Sequence, residues 1–223
     1  MSRRGLIAGF LWALAACQSV PFAAAVPIAQ TQQKGRYAPR DDCAQVPGAA
    51  GFRRKLIDAA TKGDAEAVAA LASPDIKLGF AGDDGRARFL AQLRDPKGEL
   101  IGELRRVLEL GCAVDAEGNL SAPWYFAQDM GEIDGYAAAI VTGEEVPLLA
   151  APDAGSAVRQ RLSWDLVELN AGLYPDRPFQ EVEAAGGVKG FVATSKLRSL
   201  LDYRLIAERE AGEWKITAFV AGD

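Results

Sequence analysis

Apolar positions recur at helical spacing through the first half of the chain and at strand spacing through much of the second. Phe52, Leu56, Ala59 and Ala60 share one helical face, and Gly63 is placed to end that helix. Asp64 can cap a second helix by accepting from a free backbone N–H, and Val68, Leu71 and Ala72 supply its buried side. Residues 75–80 then alternate, with Ile76, Leu78 and Phe80 set against Lys77 and Gly79, which predicts a strand. Residues 86–94 predict a short helix buried through Phe89, Leu90 and Leu93. Asp95-Pro96 reads as the start of the next helix. Leu100, Leu104, Val107 and Leu108 form its apolar stripe, the strongest in the chain, and Gly111 stops it.

From residue 136 the period shortens. Apolar runs at 137–141, 146–150, 158–162, 164–169, 179–182 and 189–192 are separated by turn residues such as Thr142-Gly143-Glu144-Glu145 and Pro152-Asp153-Ala154-Gly155-Ser156. Short strands with frequent Gly, Pro and Asp turns predict a β-barrel or sandwich over 134–200. Two more strands, 203–208 and 214–220, form a hairpin beyond it. A two-stranded hairpin is marginal alone in water, so it must join a larger sheet. The helical segment, with its single clear strand at 75–80, is the host. The expected fold class is therefore α+β. Residues 42–130 and 201–223 make one discontinuous layer of helices on an antiparallel sheet, for which a cystatin-like layout is one candidate. The small barrel is inserted between them.

The barrel stretch carries a family resemblance. Pro147-Leu148-Leu149-Ala150-Ala151-Pro152 followed by Asp153-Ala154-Gly155-Ser156-Ala157-Val158 is similar to the first strand and turn of the bacterial SH3-type (SH3b) domain. Phe179-Gln180-Glu181-Val182 and Gly190-Phe191-Val192 match that family's later strands, and the likeness spans 136–197. The resemblance implies an SH3-like barrel common in secreted and periplasmic proteins. Leu149 stands where the family usually has Arg, Ala151 where it has Gly and Phe179 where it has Trp. These changes keep the core apolar and remove the polar recognition residue. A binding module and a plain scaffold both remain open, since a fold does not fix a function.

The amino terminus reads as an export signal. Arg3-Arg4 precedes an apolar run from Gly5 to Ala16, which is too short to span a bilayer. Leu14-Ala15-Ala16-Cys17 fits a lipoprotein signal, with Cys17 as the lipidation site, while Ala23-Ala24-Ala25 offers an ordinary cleavage site. Residues 1–17 are thus the signal and 18–41 a flexible tether, with order beginning near Asp42-Cys43. Cys43 and Cys112 remain as a pair in an oxidising compartment and are expected to form a disulfide. The expected location is the periplasm, or the outer membrane through a lipid on Cys17.

Composition narrows the chemistry. The 223 residues carry a formal charge of −5, made more negative by loss of the signal, which is no footprint for nucleic acid. There is no His, which removes the commonest general base and metal ligand and every Ser–His or Cys–His pairing. The adjacent carboxylates Asp41-Asp42, Asp83-Asp84 and Glu144-Glu145 sit at turns and read as turn chemistry. No catalytic residue, metal-ligand set or cofactor is expected. Ser121-Ala122-Pro123-Trp124-Tyr125-Phe126 puts rings on both sides of an extended chain, so Trp124 and Tyr125, with Pro147 and Leu149 of the barrel, are the candidate binding residues. A competing reading packs all three aromatics between the two halves. The expected function is a non-enzymatic envelope protein whose SH3-type module binds peptidoglycan or an envelope protein. The alternative is a structural or assembly protein acting through protein contacts, with a carboxylate enzyme third.

Overall fold

The computed structural model of the protein describes residues 35–79, 82 and 84–222; the expected signal, Cys17 and the tether up to residue 34 lie outside them. The first helices follow their apolar faces. α1 (Ala49–Lys62) buries Phe52, Leu56, Ala59 and Ala60 and closes on Gly63. α2 (Ala65–Ala70) starts on Asp64, whose carboxylate accepts from the Ala67 N–H. Ala72 belongs not to that helix but to β1 (Ala72–Lys77), which begins earlier than the alternation suggests. α3 (Arg86–Leu93) buries Phe89 and Leu93. α4 (Glu99–Glu109) starts later than Asp95-Pro96 predicts, because Asp95 instead closes a turn: its carboxylate accepts from Lys97 N–H and its carbonyl from Gly98 N–H. A short hairpin without strong periodicity follows, β2 (Ala113–Val114) and β3 (Leu120–Ala122).

The second half forms seven strands: β4 (Ala138–Val141), β5 (Val146–Leu149), β6 (Val158–Leu162), β7 (Leu166–Leu169), β8 (Phe179–Ala184), β9 (Val188–Ala193) and β10 (Leu197–Ser199). A 3-10 turn at Thr194–Lys196 introduces β10. They hydrogen-bond in the order β10-β4-β7-β8-β9-β5-β6, with antiparallel neighbours throughout. The expected closed barrel is corrected to an open sheet whose ends, β10 and β6, are unpaired with each other among the described residues. Closure is not needed for burial here. Every strand contributes to one apolar cluster, from Leu162 on β6 to Leu197 on β10, so the sheet curls round its own core. Gly190 marks the tightest point, since a side chain there would meet the Leu149 carbonyl at 2.6 Å and Leu148 at 2.9 Å.

The chain ends in β11 (Arg204–Glu210) and β12 (Glu213–Val220), joined across Ala211-Gly212, both at positive φ as a tight hairpin turn requires. These strands complete a five-stranded sheet of order β1-β12-β11-β3-β2. β1 runs parallel to β12, so the sheet is mixed rather than wholly antiparallel as expected. The apolar alternation of β12 breaks at a bulge. Ile216 faces Ala207 and Ala218 faces Ile206, leaving Thr217 as an extra residue. The phase therefore shifts by one. Trp214, Ile216 and then Phe219 enter the core, where unbroken alternation would have sent Ala218.

α1 to α4 and this sheet share one core that includes Leu56, Ile76, Phe89, Leu104 and Ile216. A third cluster, containing Tyr37, Trp124, Tyr125, Ile140 and Trp164, joins the two sheets. Tyr37 and Ala38 are packed into it, which corrects the end of the expected tether. Tyr37 is 3% exposed and its N–H donates to the Trp164 carbonyl at 3.0 Å. An aromatic ring and a closely apposed backbone give this stretch reason to order ahead of Asp42. Next along the chain, Asp41 bridges to Cys112, and Cys43 is disulfide-bonded to Cys112 with Cα atoms 5.7 Å apart. Gly111 permits the crossing, because it holds φ at +87° and any side chain would strike the Arg40 carbonyl.

Candidate functional site

Trp124 and Tyr125 do not form a surface platform. Residues Trp124–Ala127 make a 3-10 turn, not an extended strand, and Trp124 and Tyr125 are 5% and 3% exposed inside the seam. Trp124 Nε1 donates to Asp42 at 2.6 Å, and the Arg40 guanidinium lies 4.5 Å from its ring. Only Phe126 of the three is exposed, beneath the Arg204 guanidinium. Burial pushes the Tyr125 phenol up to about 12, with Arg198 alongside opposing the shift and Asp202 adding to it. In the second sheet Leu149 is buried and paired with Phe191, while Pro147 is half-buried opposite Arg161. Neither offers a side chain for recognition. Cys17 lies outside the described residues.

The carboxylate pairs are dispersed into local structure. Asp41 pairs with Arg53, and Asp42 holds Trp124. Asp84 accepts from Lys77 Nζ at 2.8 Å and from Leu78 N–H at 2.9 Å, and its carboxyl is held below the usual range by that lysine and backbone bond. The Glu145 backbone is bonded to Ser163 and Arg161. Among the described residues no group of His, Cys, Asp and Glu is placed to hold a metal ion.

The most organised exposed surface is the loop between β7 and β8. Tyr174 is 40% exposed, and the Arg177 guanidinium sits 4.0 Å from its ring centroid. Beneath them Gln180, only 3% exposed, locks the loop from inside. Its Nε2 donates to the Tyr174 carbonyl at 2.6 Å and to Thr194 Oγ1 at 2.9 Å, and its Oε1 accepts from Tyr174 N–H at 3.3 Å. The Thr194 hydroxyl donates on to the Arg177 carbonyl, and Thr194 N–H donates to Pro178. One buried amide thus satisfies several backbone groups that the loop would otherwise leave unpaired. The result is an aromatic face and a cation presented by a preordered backbone, tied to the 3-10 turn before β10. A readable signal existed: Gln180 shares the inward face of its strand with Val182 and Ala184, and a glutamine in that phase needs partners.

A buried charge network crosses the seam. Arg198 of β10 is 7% exposed. Its Nη1 faces Asp202 at 3.4 Å and Glu103 of α4 at 3.8 Å, and its Nη2 donates to the Tyr203 carbonyl at 3.0 Å. Glu103 also pairs with Arg106. The network ties the last strand of the second sheet to the helical layer.

Neither a family model nor a curated protein matches the chain. Among solved structures it is similar to a protein described as a calcium/calmodulin dependent protein kinase II association domain from Xanthomonas campestris, at 12% identity and a TM-score of 0.30, covering 84% of this chain and 97% of that one. It is also similar to an NTF2-like protein with a cystatin-like fold from Novosphingobium aromaticivorans, at 15% identity and a TM-score of 0.25, covering 77% of this chain and 80% of that one. Scores this low assign neither fold nor activity to this chain. The class its own architecture defines is a mixed α+β protein with two sheets, one covered by helices and one curled on itself.

Proposed function

We propose that this is an exported, non-catalytic binding protein of the cell envelope, and that its second sheet is an SH3-type module recognising peptidoglycan or an envelope protein. The observation that carries the reading is the preordered Tyr174–Arg177 loop, locked by buried Gln180 to the 3-10 turn that precedes the last strand. Rigid presentation of an aromatic ring and a cation lowers the entropy lost on binding, which suits a recognition surface. The strand order supports the SH3-type reading: the last strand pairs with the first, and the β5–β6 hairpin packs outside β9. The helix-covered sheet is read as a cystatin-like layer that carries this module. Export is supported by the Cys43–Cys112 disulfide and by the leader pattern before it. Among the described residues no helix is long and apolar enough to cross a membrane, so envelope attachment would rest on a lipid at Cys17.

Co-sedimentation of the intact exported protein with purified cell-wall sacculi tests the reading. Pelleting is expected, and Tyr174→Ala is expected to reduce it severalfold while leaving the melting temperature unchanged. Failure of the protein to pellet would remove peptidoglycan as the ligand. Capture of an envelope protein that Tyr174→Ala abolishes would keep the same surface in use. Capture insensitive to this substitution would favour an assembly role through other contacts.

A further inference from the structure

The helical half holds an open cleft that the reading above does not use. It encloses about 420 Å³ between the end of α3, the start of α4 and the sheet face at β12. That volume lies within the range of small-molecule sites. Its floor is apolar and aromatic: Tyr203 stacks on Phe219 with ring centroids 4.9 Å apart, and Leu100 flanks them. Its rim is acidic, with Asp95, Glu99 and Glu103 against a single cation, Arg106. Arg106 is already committed to Glu103, whose other oxygen faces Arg198. Among the described residues no cation pairs with Asp95 or Glu99, and both are exposed at the mouth. Glu99 in the first turn of α4 favours the helix dipole, and Asp95 closes its turn, yet neither role neutralises the rim. The negative field reaches the floor. The Tyr203 phenol is pushed above its ordinary value by burial first, and then by Glu103, Asp202 and Glu99.

We propose that this cleft binds a small aliphatic amine, an ammonium group carried on a short apolar stem. The charge complements Asp95 and Glu99, and the stem lies on Leu100 and the Tyr203 ring, which also attracts a cation. The two carboxylates come from separate elements, a turn and a helix, so they offer two points around a compact ammonium rather than one fork for a guanidinium. An anionic ligand meets repulsion at the rim. A neutral one gains only the floor.

Calorimetric titration of the intact exported protein with 1,5-diaminopentane tests this. Saturable binding is expected, weakened by added salt and weakened roughly fivefold by Glu99→Gln, the scale of a partly exposed ion pair of about 1 kcal/mol. Asp95→Asn with Glu99→Gln is expected to remove measurable binding. Both positions are exposed, and unchanged melting of the variants verifies that the fold is intact. Pentanol, with the same stem and no charge, is expected not to compete. The proposal is overturned if the diamine does not saturate at millimolar concentration, or if the double variant binds it equally well. A lysine-containing peptide that binds tighter than the diamine would overturn the small-molecule assignment. This outcome is independent of sacculus binding, which is read at Tyr174 on the other sheet.

Discussion

Tyr125 carries the clearest pH dependence of any residue in the seam. Its folded-state value, about 12, lies above the ordinary 10.0 because burial penalises the phenolate. The sign follows from linkage. A raised folded value means that the contribution is whole below pH 10 and is lost as pH rises through the folded value. Stability should therefore fall between about pH 10 and pH 12, by on the order of 2–3 kcal/mol at most from this group. Denaturant unfolding across that range should show the fall, and Tyr125→Phe should flatten it. An unchanged slope in the variant would place the alkaline loss elsewhere. At this scale the sequence is legible where a residue has one possible partner. Cys43 and Cys112 are left as a pair once Cys17 is assigned to the expected signal, and they are disulfide-bonded. Trp124 and Tyr125 were ambiguous because their neighbours, Ile140 and Trp164, arrive from the next sheet. Local pattern cannot say which distant surface will cover a ring. Tyr174 and Arg177 were missed for the complementary reason: their order depends on Gln180 and Thr194, several residues further along the chain.

Elements were legible where one period runs unbroken. The face of α1, the Gly63 stop and the Asp64 cap all lie within a single stretch of chain and need nothing distant. β2 and β3 are too short to show a period, although β3 pairs with β11 and so links the hairpin to the rest of the sheet. β12 is the informative case. Unbroken alternation would put Trp214, Ile216, Ala218 and Val220 on one face with Phe219 out of place, and the extra residue Thr217 changes that phase. A one-residue slip exchanges the two faces of a strand, so the bulge selects which side chain fills the core. Phe219→Ala should remove the ring that the bulge brings against Phe89 and Tyr203, at a cost near the roughly 3–5 kcal/mol of losing a buried Phe. Thr217→Ala keeps the residue count and the register and should cost far less. Equilibrium denaturation of both variants decides, and equal losses would show that the Thr217 hydroxyl matters as much as the ring.

On the scale of the whole molecule, the two sheets are joined by more than their covalent links. Tyr37 donates to the Trp164 carbonyl on the second sheet, and a few residues later Cys43 is fixed to Cys112 beside the first. Arg198 reaches back from β10 to Glu103 on α4. The strap from Tyr37 to Cys43 is thus held at both ends, which is the geometry needed to couple one core to the other. The disulfide closes a sequence separation of 69 residues. Opening it with Cys43→Ala and Cys112→Ala should cost about 2–4 kcal/mol through the unfolded chain. The more telling readout is cooperativity. Trp214 reports the helix-covered core and Trp164 the seam against the second sheet. With the disulfide intact, the two fluorescence signals, separated by single Trp→Phe replacements, should unfold in one transition. Without it, the strap loses its anchor beside Cys112, and the Trp164 transition should move to lower denaturant ahead of Trp214. Coincident transitions in the disulfide-free protein would show instead that the Arg198–Glu103 contact and the apolar seam suffice to couple the cores. The strap would then be a passenger on that interface.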